Sequence, residues 1–107
     1  MKMIIAIIRP EKLQCVKDAL KALNINGMTI TDVRGRGTQS GLKFTTRVGE
    51  FVVDEIEKIK LEIVVNDDQE NAVISTIQKY ASTDHIGDGR MFVVPVEKSI
   101  RIRTGDV

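Results

Sequence analysis

The chain of 107 residues carries 16 basic and 15 acidic side chains, a formal charge of +1, with 42% of its positions hydrophobic and 29% charged. That size and composition fit one domain over residues 1–107 with a modest core. Charges so nearly balanced provide no overall field to draw in DNA, RNA or an anionic membrane, so any cationic site must be local.

MIIAIIR, residues 3 to 9, is a continuous aliphatic run rich in β-branched residues and predicts a first strand, stopped by Pro10. The run from Met3 to Ile8 is too short to cross a bilayer or to form the hydrophobic part of a signal peptide, so a cytoplasmic location is expected. Pro10 suits a helix start, and Leu13, Val16, Leu20 and Leu23 recur three and four apart, which predicts a helix over 11–23. Cys15, the only cysteine, falls in that helix, excludes an internal disulfide and reads as a small buried hydrophobe. MTITDVR at 28–34 predicts a second strand.

From Gly35 to about Gly49 the sequence is polar and glycine-spaced with no period, and a long exposed loop is expected. KLEIVV at 60–65 predicts a third strand. Asp67 with Glu70 three residues on resembles a capping pair, and Val73, Ile74, Ile77 and Tyr80 mark a second helix. IGDGR then leads into MFVVPV, a fourth strand, and SIRIR predicts a short fifth. The order βαββαβ argues for an α+β fold, the ferredoxin-like split βαβ sandwich.

Two helices can cover only one face of a four-stranded sheet, yet the first and fourth strands are apolar on both faces. At roughly 25 cal/mol per Å² of apolar surface, leaving the second face in water forfeits many kcal/mol. Other copies of the chain are expected to cover it.

Three segments could carry chemistry. Alternation in an extended SIRIRTG, residues 99–105, puts Arg101 and Arg103 on one face about 6 to 7 Å apart, a spacing that suits two phosphoryl groups. Taken alone, a solvated edge strand whose charges discourage aggregation is the simpler reading. Gly87-Asp88-Gly89-Arg90 offers a tight turn whose amides can face an anion beside a third arginine, and an ordinary turn explains it equally. RGRGTQSG at 34–41 brackets Gln39 with glycines at 35, 37 and 41, in a loop long enough to be functional.

Taken together, these segments carry a resemblance. GRGTQSG, the following RVGEFVVDEIEKIKLEIVV, and TDHIGDGRMFVVPVEKSIRIRTGD are similar to the signature stretches of the PII signal-transduction proteins of nitrogen regulation, at matching spacing over essentially the whole chain. The resemblance implies a homotrimer that senses ATP or ADP in clefts between subunits. Gly87, Asp88, Gly89 and Arg90 would wrap the phosphates, Arg101 and Arg103 would complete the cage, and Ile7, Met28, Thr29, Gly35, Gly37 and Val64 would line the base and ribose side. It implies further that 2-oxoglutarate binds at the base of the loop, about 36–54. There Gln39 would contact a magnesium ion (Mg2+) shared with the ATP phosphates, and Lys58 would pair with the acid's carboxylate. The loop would then change conformation with effector and control partner proteins.

The chain also departs from the family pattern. Many members carry a modifiable loop tyrosine where this chain has Phe51, and Gly49 replaces a serine modified in others, so neither covalent route is expected. Leu42, Phe44 and Thr46 are unusual in the loop, which leaves the partner open: an ammonium-transport channel, with Arg47 matching the arginine that plugs its pore in some relatives, or nitrogenase, glutamine synthetase or a transcription factor. His85 stands where a lysine is common and reads as a solvated loop residue.

Two readings from other classes compete. A nucleotide hydrolase with Asp88 or His85 as base has arginines to stabilise a transition state but no nucleophile-activating pair, so the chain is read as a non-enzyme. RNA-recognition modules on this sandwich stack bases on sheet aromatics, whereas the first and third strands here are aliphatic.

Overall fold

The structure is a computed structural model that describes residues 1–36, 42–46, 49–53 and 55–107, with 42–46 and 49–53 described by their backbone pairing. Strand β1, Lys2–Ile8, is followed by a 3-10 turn at Pro10–Lys12 and helix α1, Leu13–Ala22. After β2, Thr29–Gly35, come β3, Leu42–Thr46, and β4, Gly49–Val53. Strand β5, Ile56–Val65, then leads through a 3-10 turn at Asp67–Gln69 into helix α2, Glu70–Ala81, and the last strand is β6, Gly89–Pro95.

The main sheet has the order β2-β5-β1-β6, with every neighbouring pair antiparallel. Strands β1 and β2 are therefore parallel with β5 inserted between them, which is the split βαβ arrangement of the ferredoxin-like sandwich expected from the sequence. Register shows why the aliphatic runs end up here. Ile4, Ala6 and Ile8 of β1 oppose Ile63, Leu61 and Ile59 of β5, and all six are buried. Val16 and Leu20 of α1 and Val73, Ile77 and Ala81 of α2 close the same core from above. The three-and-four spacing of those residues puts them on one stripe of each helix.

The helix ends follow local chemistry. Asn24, at φ 62°, terminates α1, with its amide donating to the Lys21 carbonyl at 2.9 Å and the Ile25 amide to the Leu20 carbonyl at 3.0 Å. That is a Schellman closure, with buried Ile25 as its apolar contact. The capping box before α2 is Asn66 with Gln69, one residue earlier than the Asp67–Glu70 pairing expected. Asp67 instead receives the amino group of Met1 at 2.7 Å. Cys15 is half-buried against the core, its thiol 3.2 Å from the carbonyls of Lys12 and Tyr80.

The other sheet face carries Met3, Ile5 and Ile7 in register with Val94, Phe92 and Arg90. Phe92 and Val64 are each 48% exposed there, so this face keeps apolar area in water, as the strand composition implied.

Two expectations need correction. The stretch expected to be a loop without period contains a β-hairpin, with Leu42 to Thr46 paired against Val53 to Gly49 in its own two-stranded sheet. SIRIR is not a strand. Residues 101–106 instead close on themselves, the Arg101 amide donating to the Asp106 carbonyl at 2.8 Å and the Gly105 amide to the Arg101 carbonyl at 2.7 Å. Gly105 at φ 74° permits this reversal, and the alternation of Ile and Arg has no neighbouring strand to hold it extended.

The core assignment is checked by truncation at fixed protein concentration. Leu61→Ala should cost about 2 to 5 kcal/mol in urea unfolding, whereas Ile30→Ala, on the edge strand and 41% exposed, should cost no more than about 1 kcal/mol.

Candidate functional site

The edge pairing of β1 with β6 sets the site. Ile8 opposes Gly89 and Ile7 opposes Arg90, so the glycine turn 86–89 enters the sheet at the end of β1. Gly89 adopts φ 108°, and a Cβ there would lie 1.7 Å from the Ile7 carbonyl oxygen, so only glycine allows this approach. Gly87 is also left-handed, at φ 97°.

Asp88, between them, points its carboxylate into the protein's own framework. Arg9 Nε donates to it at 3.0 Å, the Thr83 amide at 2.7 Å, the Ser82 hydroxyl at 3.4 Å, and the Thr83 hydroxyl as well. Those bonds, the Thr83 hydroxyl foremost and Arg9 after it, hold the carboxyl well below the usual carboxylate range despite an opposing desolvation. A carboxylate engaged in this way is a weak base. His85, the other candidate base of the hydrolase reading, lies exposed in the same loop.

Lys58 comes from β5, opposite Val33 of β2, and donates to the Gly87 carbonyl. Burial lowers its pKa, as does the neighbouring Arg9 charge, while Glu11 and Asp88 act in the opposite sense. Lys58, Gly87, Gly89, Arg90 and Ile7 thus gather at one end of the sheet, and Gly35, in register with Ile56, is two positions along β2 from the partner of Lys58. Behind the turn, a cavity of about 470 Å³ lies between α2 and β6, lined by Ile74, Ile77, Met91 and Val93 among others.

The remaining expected residues sit elsewhere. Thr29 pairs with Glu62, and Val64 pairs with Met3, at the opposite end of the same open face. Lys58 and Val64 are six positions apart, about 20 Å along a strand. Met28, just before β2, packs against the core and stays partly exposed. Arg101 and Arg103 are exposed in the terminal turn, beyond the end of β6 that meets Lys2, and so do not form the expected strand-borne pair. Gly37, Gln39 and Arg47 lie outside the described residues. Within one chain, then, the expected residues form two separated groups.

Two residues of the site lay outside the sequence motifs, Arg9 and Ser82, while Thr83 opens the stretch TDHIGDGRMFVVPV. Arg9 could have been found by continuing the strand register one step past Ile8, where it faces Lys58 on one side and Asp88 on the other.

Two measurements check this geometry. Gly89→Ala should destabilise the protein by more than about 2 kcal/mol, because backbone must move, while Gly27→Ala, with open space around it, should change stability by at most about 1 kcal/mol. Because the fold favours ionised Asp88, its stabilising contribution is complete above the unfolded pKa of about 3.9 and is lost as pH falls below that value. Asp88→Asn should therefore unfold at lower urea than the wild type near neutral pH, and the gap should narrow below about pH 4. A gap that stays constant into strong acid would refute the pairing.

Comparison with known proteins bears on what such a site serves. The family model described as nitrogen regulatory protein P-II matches residues 1–106. Nitrogen regulatory protein P-II 2 of Methanothermobacter thermautotrophicus is 51% identical over 106 residues, covering 99% of this chain and 92% of the relative. The nitrogen regulatory proteins P-II of Pasteurella multocida and Cereibacter sphaeroides are 49% and 46% identical over the same length, each covering 99% of this chain and 95% of the relative.

Proposed function

Since the chain belongs to the nitrogen regulatory protein P-II family, we propose that it is a homotrimeric, cytoplasmic, single-domain sensor that binds ATP or ADP and 2-oxoglutarate between subunits and reports them through the 36–54 segment. The observation that carries this reading is the separation of the expected site residues into two groups on one open face, with Lys58 and Val64 about 20 Å apart. Neither group encloses a nucleotide alone. Packing the open face of one copy beside the next brings the Lys58 and Gly87–Arg90 end of one subunit toward the Thr29, Val64 and C-terminal end of its neighbour. The half-exposed Phe92 and Val64 are the apolar area that such packing removes from water.

In that cleft the glycine turn supplies backbone amides and Arg90 a planar guanidinium, both suited to phosphoryl oxygens. Arg101 and Arg103 of the neighbouring copy would add charge from the far side. Lys58, an ammonium already beside the turn, fits the carboxylate of 2-oxoglutarate, with Gln39 reserved for the magnesium that links that acid to the ATP phosphates. ADP lacks the phosphate that completes this linkage, so the response follows both energy and carbon supply.

The output would be a regulated contact rather than turnover. Partners in nitrogen metabolism are proposed, an ammonium-transport channel engaged by Arg47 or an enzyme or transcription factor reached by the same segment. Phe51 and Gly49 leave control to the effectors instead of to covalent modification.

Calorimetric titration combined with sedimentation tests this. A trimer should bind ATP and ADP saturably, and 2-oxoglutarate should give heat only when ATP and magnesium are present. Replacing both Arg101 and Arg103 with alanine should weaken ATP by tenfold or more, about 1.4 kcal/mol. A monomer indifferent to ATP would overturn the reading, and ATP binding without any 2-oxoglutarate signal would remove Gln39 and Lys58 from it.

A further inference from the structure

We propose that Arg9 is a positioning residue that holds the glycine turn 86–89 in its anion-binding shape, acting through Asp88 and the Ile86 carbonyl rather than by touching the ligand. This rests on the nucleotide-binding reading above and adds to it a residue that lies in none of the motifs.

The argument starts at Pro10. A residue before proline is driven to extended backbone, and Arg9 has φ −66° and ψ 140°, so the direction in which its side chain leaves β1 is fixed by the chain itself. From there one guanidinium makes two bonds at once. Its Nε donates to Asp88 Oδ1 at 3.0 Å, and a terminal nitrogen donates to the Ile86 carbonyl at 2.9 Å. The two acceptors lie on either side of Gly87 in sequence, and a Cβ on Gly87 would come within 3.3 Å of that same terminal nitrogen. The planar fork therefore packs against the turn as well as bonding to it.

Such a turn needs holding. Gly87 and Gly89 both occupy left-handed backbone, and glycine surrenders more freedom on ordering than any other residue. Unusual conformations persist where their surroundings over-determine them. Here Arg9 ties the end of β1 to the turn, while Ser82 and Thr83 tie the exit of α2 to the same Asp88 carboxylate. The side chains of Arg9 and Asp88 are 25% and 23% exposed, so water screens this pair less than it would a surface pair. Lysine cannot substitute fully, because a single ammonium lacks the fork that reaches Asp88 and Ile86 together.

The test joins a double-mutant cycle in ATP affinity to amide exchange in the ligand-free protein. By titration with magnesium and ATP at fixed ionic strength, Arg9→Gln should weaken binding about ten- to a hundredfold, the range of a lost charge-assisted hydrogen bond, and Arg9→Lys should restore only part of it. In an Asp88→Asn background, Arg9→Gln should cost clearly less than in the wild type, since one of the two positioning bonds is already weakened and only that to the Ile86 carbonyl remains in full. Amide exchange at Gly87 and Gly89 should quicken in Arg9→Gln without ligand.

Unaltered affinity in Arg9→Gln would overturn the proposal. So would a full further loss in the Asp88→Asn background, which would mean that Arg9 meets the ligand directly, and so would unchanged exchange at the two glycines. If the wild type binds no ATP, the functional reading fails, and the exchange data still decide whether Arg9 holds the turn. Should Arg9→Gln not fold, Arg9→Lys carries the same comparisons.

Discussion

Burial of Ile4, Ala6 and Ile8 against Ile63, Leu61 and Ile59 on one face of the central β1–β5 pair is the constraint from which the remaining structure follows. Because side chains alternate, fixing those six residues beneath the helices sends Met3, Ile5, Ile7, Lys58, Lys60 and Val64 to the opposite face. A one-residue slip would exchange the two sets, exposing the aliphatic core and burying lysines. The same register that makes the core thus delivers Lys58 and Ile7 to the open face, and it needs no separate device to do so.

The edge strand β6 inherits that register and adds a stricter demand. Gly89 must approach the Ile7 carbonyl more closely than any side chain allows, and Gly87 must turn the chain in left-handed backbone just before it. Asp88 sits between two residues chosen for backbone reasons, and its carboxylate is consumed by Arg9, Thr83 and Ser82. In GDGR, therefore, the carboxylate serves the framework, the glycines set the backbone, and Arg90, in register with Ile7 on the open face, is the side chain left for the proposed phosphate contact. A motif that reads as four equivalent positions in sequence divides into three kinds once the hydrogen bonds are known.

What the sequence disclosed follows a pattern. Elements written in periodicity were legible: the β1 run, the Leu13, Val16 and Leu20 stripe, and the Val73 and Ile77 stripe all occur where spacing put them. The stop of α1 is local as well, since Asn24 takes left-handed backbone, which asparagine tolerates better than most residues. Legibility failed where the deciding partner is distant or missing. SIRIR alternates like a strand, yet alternation specifies only a conformation that a neighbouring strand must stabilise, and the local bonds of Arg101, Gly105 and Asp106 prevail. The hairpin of β3 and β4 hid in a glycine-spaced stretch whose pairing, Phe44 opposite Phe51, spans the segment and not a local window. Arg9 escaped because its partner is 79 positions away, in a motif read as self-sufficient.

The charges around the turn favour the anion proposed there. Arg9 is largely neutralised by Asp88, which leaves Lys58 and Arg90 as cations near the turn without an equally close acid among the described residues. Lys58 bears the cost: burial and the Arg9 charge both disfavour its ammonium, and the distant pull of Glu11 and Asp88 does not restore it. An arriving anion reverses this balance. It supplies the missing negative charge, favours protonated Lys58 and stabilises the Arg90 guanidinium in one step. By linkage, whatever anion raises the pKa of Lys58 must bind more tightly when Lys58 is protonated, so the free protein's electrostatic strain becomes part of the affinity. Under that proposal the Lys58 bond to the Gly87 carbonyl gives the ammonium a weak neutral acceptor that a charged oxygen would displace.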